Sequence, residues 1–361
     1  MIPVTKSYLP SLEDYTSQLE RIWQGGILTN NGLLIKELAD KLNQHLNTPN
    51  IELVANGTLA LQLAIKALGL KGEVITTPFS YVATTTALIW ENCTPIFVDI
   101  EERTFCIDAD KIEAAITEQT SAILATHVYG YPCNVKKIEE IAKKHDLKVI
   151  YDGAHAFGVK LNGKSIFDYG DVSTLSFHAT KLFHTIEGGA LVCRDKELVE
   201  KINLMKKFGH MGEEKYLEVG INAKMSEVHA AMGLCVLPKL NESIANRRAI
   251  SEHYDDLLKG CGLSLPQISV ESEYNYAYFP IVFATHTQMM QVRQSLIDNN
   301  IMPRRYFYPS LNTLKYLGLK SKQKCPISES ISERVLCLPL YHDLELKSVD
   351  KICSVISKEL K

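Results

Sequence analysis

One lysine of this chain stands among side chains of several chemical kinds. Residues 175–192 read LSFHATKLFHTIEGGALV, which sets Lys181 between hydroxyl, aromatic and histidine side chains, ahead of a Glu-Gly-Gly and an apolar run. A lysine is ordinarily a solvated surface residue. Desolvation drives its amine toward the neutral, nucleophilic form, and such an amine makes an imine with an aldehyde. Five residues earlier, Ser176 offers a hydroxyl that suits a phosphate. Asp152 follows the apolar run KVIY and, partly desolvated there, needs a cationic partner; a turn or helix-cap residue is the plainer reading. His155, in D-G-A-H, either contacts a flat ligand or is a satisfied buried histidine. Gly57 and Thr58, in ANGTLAL, open a helical pattern whose first N–H groups favour an anion, with glycine permitting close approach. Taken alone, they read as a helix capped by Thr58.

Together these groups describe one ligand. Its phosphate meets Gly57, Thr58 and Ser176, its ring nitrogen meets Asp152, and its aldehyde meets Lys181. That ligand is pyridoxal 5′-phosphate, whose protonated ring acts as an electron sink. No metal set competes with it: His178 and His184 are six apart, which is not one helical face, and no H-E-x-x-H occurs.

The elements that must carry these residues alternate. Helical spacing marks 57–70, 81–92, 108–117 (with Asp108 as N-cap) and 135–146; strand-like runs mark 73–79, 94–100, 121–130 and 147–155. This predicts an α/β fold with a mostly parallel sheet flanked by helices, and ligands bound beyond the carboxyl ends of its strands. Asp152, Thr126 with His127, and Ser176 to Lys181 all follow strands in that way. Beyond about residue 235 the character changes. A long charged helical stretch, a strand-like 276–284, a helix over 288–300 and a final helix predict a smaller α+β unit. The expected division is 1–235 for a large domain and 236–361 for a small one.

Composition narrows the rest. The 361 residues are 46% hydrophobic and 22% charged with net charge -3, which gives no broad basic field for nucleic acid or an anionic membrane. No apolar run approaches transmembrane length, and the N-terminal MIPVTKSYLPSLEDY has no secretory apolar core. Nine scattered cysteines without a C-x-x-C fit reduced thiols and a cytoplasmic location.

The phrases ANGTLAL, TTPFSYVAT, VYGYP, KVIYDGAHAFG, LSFHATKLFHTIEGGALV and VGINAKMSEVHAAMGL resemble the DegT/DnrJ/EryC1/StrS sugar aminotransferases, which are fold-type I enzymes of pyridoxal phosphate. The resemblance runs from about residue 2 to the C-terminus and is densest between 53 and 234. It implies that Lys181 is the Schiff-base lysine and proton shuttle, and that Asp152 pairs with the ring nitrogen. It further implies that Tyr81 lies over the ring, that His155 packs close to it, and that Gly57, Thr58 and Ser176 hold the phosphate. Asn222 would reach the phosphate across a homodimer interface, so that active sites are shared. The sub-group most resembled forms dTDP-4-amino-4,6-dideoxyglucose, with L-glutamate as amino donor and a nucleotide-linked 4-keto-6-deoxy sugar as acceptor. A 3-keto or other keto sugar on the same scaffold, or a non-catalytic interaction protein on a decayed fold, are the alternatives. Arg304, Arg305 and Tyr306 in MPRRYFYPSL suit a diphosphate and a sugar or base face, or else form a solvated surface turn; Tyr341 and His342 are weaker candidates of the same kind. This chain departs from many members at Lys224, at Ala223 and over Leu182, Phe183, His184 and Thr185. That departure bears on the sugar pocket.

Overall fold

The computed structural model describes residues 1–48, 50–318 and 323–360. Its centre is a seven-stranded sheet built from β1 (Ile51–Val54), β2 (Glu73–Thr76), β3 (Thr94–Phe97), β4 (Thr120–Thr126), β5 (Lys148–Asp152), β6 (Val172–Ser176) and β7 (Gly189–Cys193). They lie in the order β1-β7-β6-β5-β4-β2-β3. Only β7 is antiparallel to its neighbours, β1 and β6; the other pairs are parallel. The expected α/β architecture with a mostly parallel sheet is what forms.

The sheet is apolar on both sides because helices cover both sides. Along the strands, alternate residues enter different cores. Val74, Leu124, Ile150, Val172 and Leu191 pack on one face with the helix Gly57–Ala67. Ile75, Ile123, Val149, Leu175 and Val192 pack on the other with the helices Leu33–Leu46 and Glu227–Val236. A third core gathers the helices Leu240–Leu258, His286–Asp298 and Leu346–Glu359 around the antiparallel pair Phe279–Val282 and Val335–Leu338. The N-terminal Ile2–Pro3 pairs with Ile301–Met302, so the first residues lie against this last third of the chain.

Boundaries differ from the sequence expectation where backbone turns intervene. The expected strand over 276–284 keeps only Phe279–Val282, because Tyr276 takes a positive φ of 52°. The run 121–130 ends as a strand at Thr126, and Tyr129 beyond it has φ 56°. The expected helix over 108–117 is a single α-turn, Ala109–Ile112, continued by a 3-10 turn; Asp108 does cap it, accepting the Asp110 N–H. No helix among the described residues is long and apolar enough to cross a membrane.

Candidate active site

The carboxyl ends of β4, β5 and β6 and the amino end of β7 meet at one edge of the sheet, and a cavity of about 350 Å³ opens there. One wall is the start of the Gly57–Ala67 helix. Its cap is Asn56, not Thr58: the Asn56 backbone is extended and its Oδ1 accepts the Leu59 N–H at 2.9 Å. The helix's first N–H groups, at Gly57 and Thr58, have no partner within the helix. A Cβ on Gly57 would lie 2.9 Å from Ser176 Cβ, and one on Gly189 would lie 2.6 Å from the Asn56 carbonyl carbon. Two glycines thus let the helix end settle directly on β6 and β7. The result is a cradle of helix N–H groups and the Ser176 hydroxyl, suited to a phosphate.

Across the cavity, Asp152 ends β5 and is buried. Its Oδ1 accepts the Ala154 N–H at 3.1 Å and its Oδ2 accepts the Thr84 hydroxyl at 2.7 Å. Burial pushes its carboxyl upward in pKa, while Thr84, Ala154 and Lys181 pull it back. Lys181 lies in the connection from β6 to β7, its N–H bonded to the His178 carbonyl at 2.8 Å. Its Nζ donates to the Tyr278 hydroxyl at 3.5 Å. Burial lowers its amine to about 8, against an opposing pull from Asp152. His155 accepts the Tyr129 N–H on Nδ1 at 3.2 Å, which puts its ring proton on Nε2. Its ring stacks on Phe307 at 5.4 Å and meets Tyr278 edge-on. Burial holds it well below its usual pKa, so it is neutral. Tyr81, 60% exposed, precedes the helix Val82–Trp90 and lines the mouth.

Of the residues singled out from sequence, Gly57, Thr58, Tyr81, Asp152, His155, Ser176, Lys181, Arg304 and Tyr306 line this cavity. Four do not. Arg305 turns away, held by Glu333 at 3.2 Å and stacked 3.3 Å from the Tyr308 ring centre. Arg304 bridges Cys337 in an extended backbone, so neighbouring side chains alternate, and Arg304 and Tyr306 face the cavity while Arg305 does not. Tyr341 is buried in the third core, and His342 packs edge-on to Tyr8. Asn222 is exposed and accepts from Lys224 at 2.6 Å, outside the cavity of its own chain.

Other strand-exit residues serve the wall from behind. His127 stacks on Tyr151 at 4.7 Å, takes the Cys133 N–H on Nδ1, and is pushed down to about 3 by burial. Thr126 donates to Ser80. His178 lines the cavity, with Nε2 3.6 Å from Glu187. The departing segment after Lys181 packs inward: Phe183 stacks on Phe157 at 4.7 Å and His184 Nε2 bonds the Tyr8 carbonyl at 2.7 Å. None of Leu182 to Thr185 lines this cavity. Sequence reasoning missed Asn56, Ser80, Thr84, Tyr278 and Phe307, which do. Asn56 was detectable, as an N-cap residue type just ahead of a helical pattern.

The cradle, the buried carboxylate and the low-pKa amine match the donor set that pyridoxal 5′-phosphate requires at its three ends. Comparison with known proteins agrees. The profile of the DegT/DnrJ/EryC1/StrS aminotransferase family matches residues 11–357. The dTDP-4-amino-4,6-dideoxy-D-glucose transaminase of Shigella dysenteriae is 43% identical, over 99% of this chain and 98% of its own. That of Escherichia coli is 42% identical, over 98% of each. The crystal structure of DesI in the presence of its TDP-sugar product superposes with a TM-score of 0.94 at 29% identity, over 99% of this chain and 92% of that one.

Proposed function

This chain belongs to the DegT/DnrJ/EryC1/StrS aminotransferase family, whose cofactor is pyridoxal 5′-phosphate, and from that premise we propose that it moves an amino group from L-glutamate to C4 of a nucleotide-linked 4-keto-6-deoxy sugar. The product named by the similar transaminases, dTDP-4-amino-4,6-dideoxyglucose, is the one we assign to it. One observation carries the chemistry: Lys181, Asp152 and the Gly57–Ser176 cradle converge on one cavity from sites spread over more than a hundred residues.

The N–H groups of Gly57 and Thr58 and the Ser176 hydroxyl would hold the phosphate, Asp152 the ring nitrogen, and Lys181 Nζ the aldehyde carbon. His155 and Tyr81 would bound the ring. When bound, the cofactor supplies an electron sink for the charge left as a proton leaves the amine-bearing carbon. Lys181 supplies the base. With its amine lowered to about 8 by burial, it would take and return a proton close to neutral pH. Tyr278, 3.5 Å away, orients that amine. Neutral His155, wedged between Phe307 and Tyr278, closes the wall against water. Arg304, exposed at the mouth, offers its guanidinium to the diphosphate, with the Tyr306 ring 5.9 Å away.

The reading includes a homodimer. Asn222 lies outside its own cavity and exposed, as a residue serving a partner's phosphate site must, and it accepts from the half-buried Lys224. Incubation with L-glutamate and a panel of keto sugar nucleotides tests the whole. Release of 2-oxoglutarate with the 4-keto-6-deoxy sugar nucleotide, and a product mass corresponding to exchange of the keto oxygen for an amine, is the expected result. Turnover restricted to 3-keto sugars would replace the proposed acceptor.

A further inference from the structure

Behind Asp152 the cavity wall holds three buried hydroxyls in a row. Thr126 Oγ1 donates to Ser80 Oγ at 3.1 Å, Ser80 Oγ lies 2.8 Å from Thr84 Oγ1, and Thr84 Oγ1 donates to Asp152 Oδ2 at 2.7 Å. Ser80 is 2% exposed, and Thr84 and Thr126 are fully enclosed. The row crosses adjacent elements. Thr126 and Asp152 are the last residues of β4 and β5 and face each other in register. Ser80 follows β2, and Thr84 sits in the first turn of the helix Val82–Trp90.

A hydroxyl carries one hydrogen. Thr84 gives its hydrogen to Asp152, so Ser80 gives its own to Thr84, and Thr126 gives its own to Ser80. All three hydrogens point toward one carboxylate oxygen. That alignment suits an ionised Asp152. A proton on Oδ2 would set two hydrogens against each other and force the row to reverse. Aligned donors also polarise one another and strengthen the last bond. Thr84 is a β-branched residue in a helix, where such residues are poor formers, and its hydroxyl bond to Asp152 gives it a reason to be there.

We infer that Thr126, Ser80 and Thr84 are positioning residues that hold Asp152 ionised and, through it, hold the proton on the cofactor's ring nitrogen. The inference rests on the proposed pairing of Asp152 with that nitrogen. The other titratable groups facing Asp152 are Lys181, from the β6–β7 connection, and Tyr278, ahead of the strand Phe279–Val282. His155 shares the wall as a neutral ring. With the cofactor bound, Lys181 would be engaged at its aldehyde, leaving the hydroxyl row and the Ala154 N–H as the protein groups that offset the cost of burying the carboxylate.

The experiment uses holoenzyme reconstituted with cofactor labelled with ¹⁵N in its ring, and reads the nitrogen shift against pH. Native enzyme and Thr84→Ser should share one profile. Thr84→Val, which leaves the carboxylate more basic by about one pKa unit, the size expected for one hydrogen bond to a charge, should draw the shared proton toward Asp152 and move the plateau nitrogen shift toward that of an unprotonated ring. Ser80→Ala should shift less, and Thr126→Val least. Retention of cofactor on dialysis should fall in the same order. Asp152→Asn fixes the scale by losing the proton altogether. If Asp152→Asn loses it while Thr84→Val, Ser80→Ala and Thr126→Val all match native enzyme, the row has no such role. If Thr84→Ser behaves as Thr84→Val does, shape rather than the hydroxyl is responsible and the inference falls. If Asp152→Asn keeps the proton, the pairing itself is wrong and the inference falls with it. Should Thr84→Val fail to fold, Ser80→Ala, which removes a single oxygen, decides the matter.

Discussion

Lys181 in the folded chain holds its proton only up to about pH 8, whereas an unfolded lysine holds it to about 10.5. Alkylation of Lys181 in the cofactor-free chain should therefore rise with pH through a midpoint near 8 and level off above it; a midpoint near 10.5 would mean that the pocket does not desolvate the amine. Between these two values the unfolded chain binds more protons, so stability linked to this group rises with pH there. Melting of the cofactor-free chain should show that slope, and Lys181→Met should flatten it. Lys181→Ala should lower turnover by roughly 10² to 10⁴, the scale of a lost proton-transfer group, and borohydride should no longer fix the cofactor to the protein. Neighbouring arginines should behave differently. Arg304→Ala should raise KM for the sugar nucleotide roughly tenfold, as for one lost charged hydrogen bond. Arg305→Ala, which loses Glu333 and the Tyr308 ring, should leave KM alone and cost about 1 kcal/mol of stability. The sequence supplied the three cofactor ends because an amine, a carboxylate and a glycine-led helix start each imply a partner chemically. It did not supply Tyr278, whose hydroxyl matters only because the fold brings it to a lysine 97 residues away.

At the level of elements, what was legible was periodicity. Strands buried on both faces and helices with one apolar face repeat at distinct intervals, and these order the chain before any contact is known. Close approach was not legible. Glu187-Gly188-Gly189 reads as a turn into a strand, but Gly189 is small because the Asn56 carbonyl lies against it. Gly189→Ala should push the Gly57–Ala67 helix off β7. The expected cost is about 1–3 kcal/mol of stability, with weaker cofactor retention at unchanged Lys181 labelling by borohydride when cofactor is in excess. Unfolding titrations and dialysis check the two parts separately. Asn56→Ala, which removes the cap alone, should cost about 1 kcal/mol.

For the whole molecule, the proposed dimer with shared sites makes a prediction that no single chain can satisfy. Lys181→Ala and Asn222→Ala proteins, each impaired alone, should regain activity when unfolded and refolded together, because one mixed site then carries neither change. Sedimentation should find a dimer, and absence of rescue in mixed dimers would confine each site to one chain. Exposed Phe208, Met211, Tyr216, Leu217 and Val219, near Asn222 in sequence, would supply an apolar surface for such a contact. The one antiparallel strand of the central sheet, β7, has a consequence for how this protein can change over generations. Ser176 and Gly189 are rung partners, so residues 177–188 form a hoop closed at its base, with the reactive nitrogen riding on it. The circumference of that hoop is in effect a ruler. One codon added or lost within it displaces the nitrogen or flips a rung, so descendants that keep this chemistry should vary in letters there but not in length.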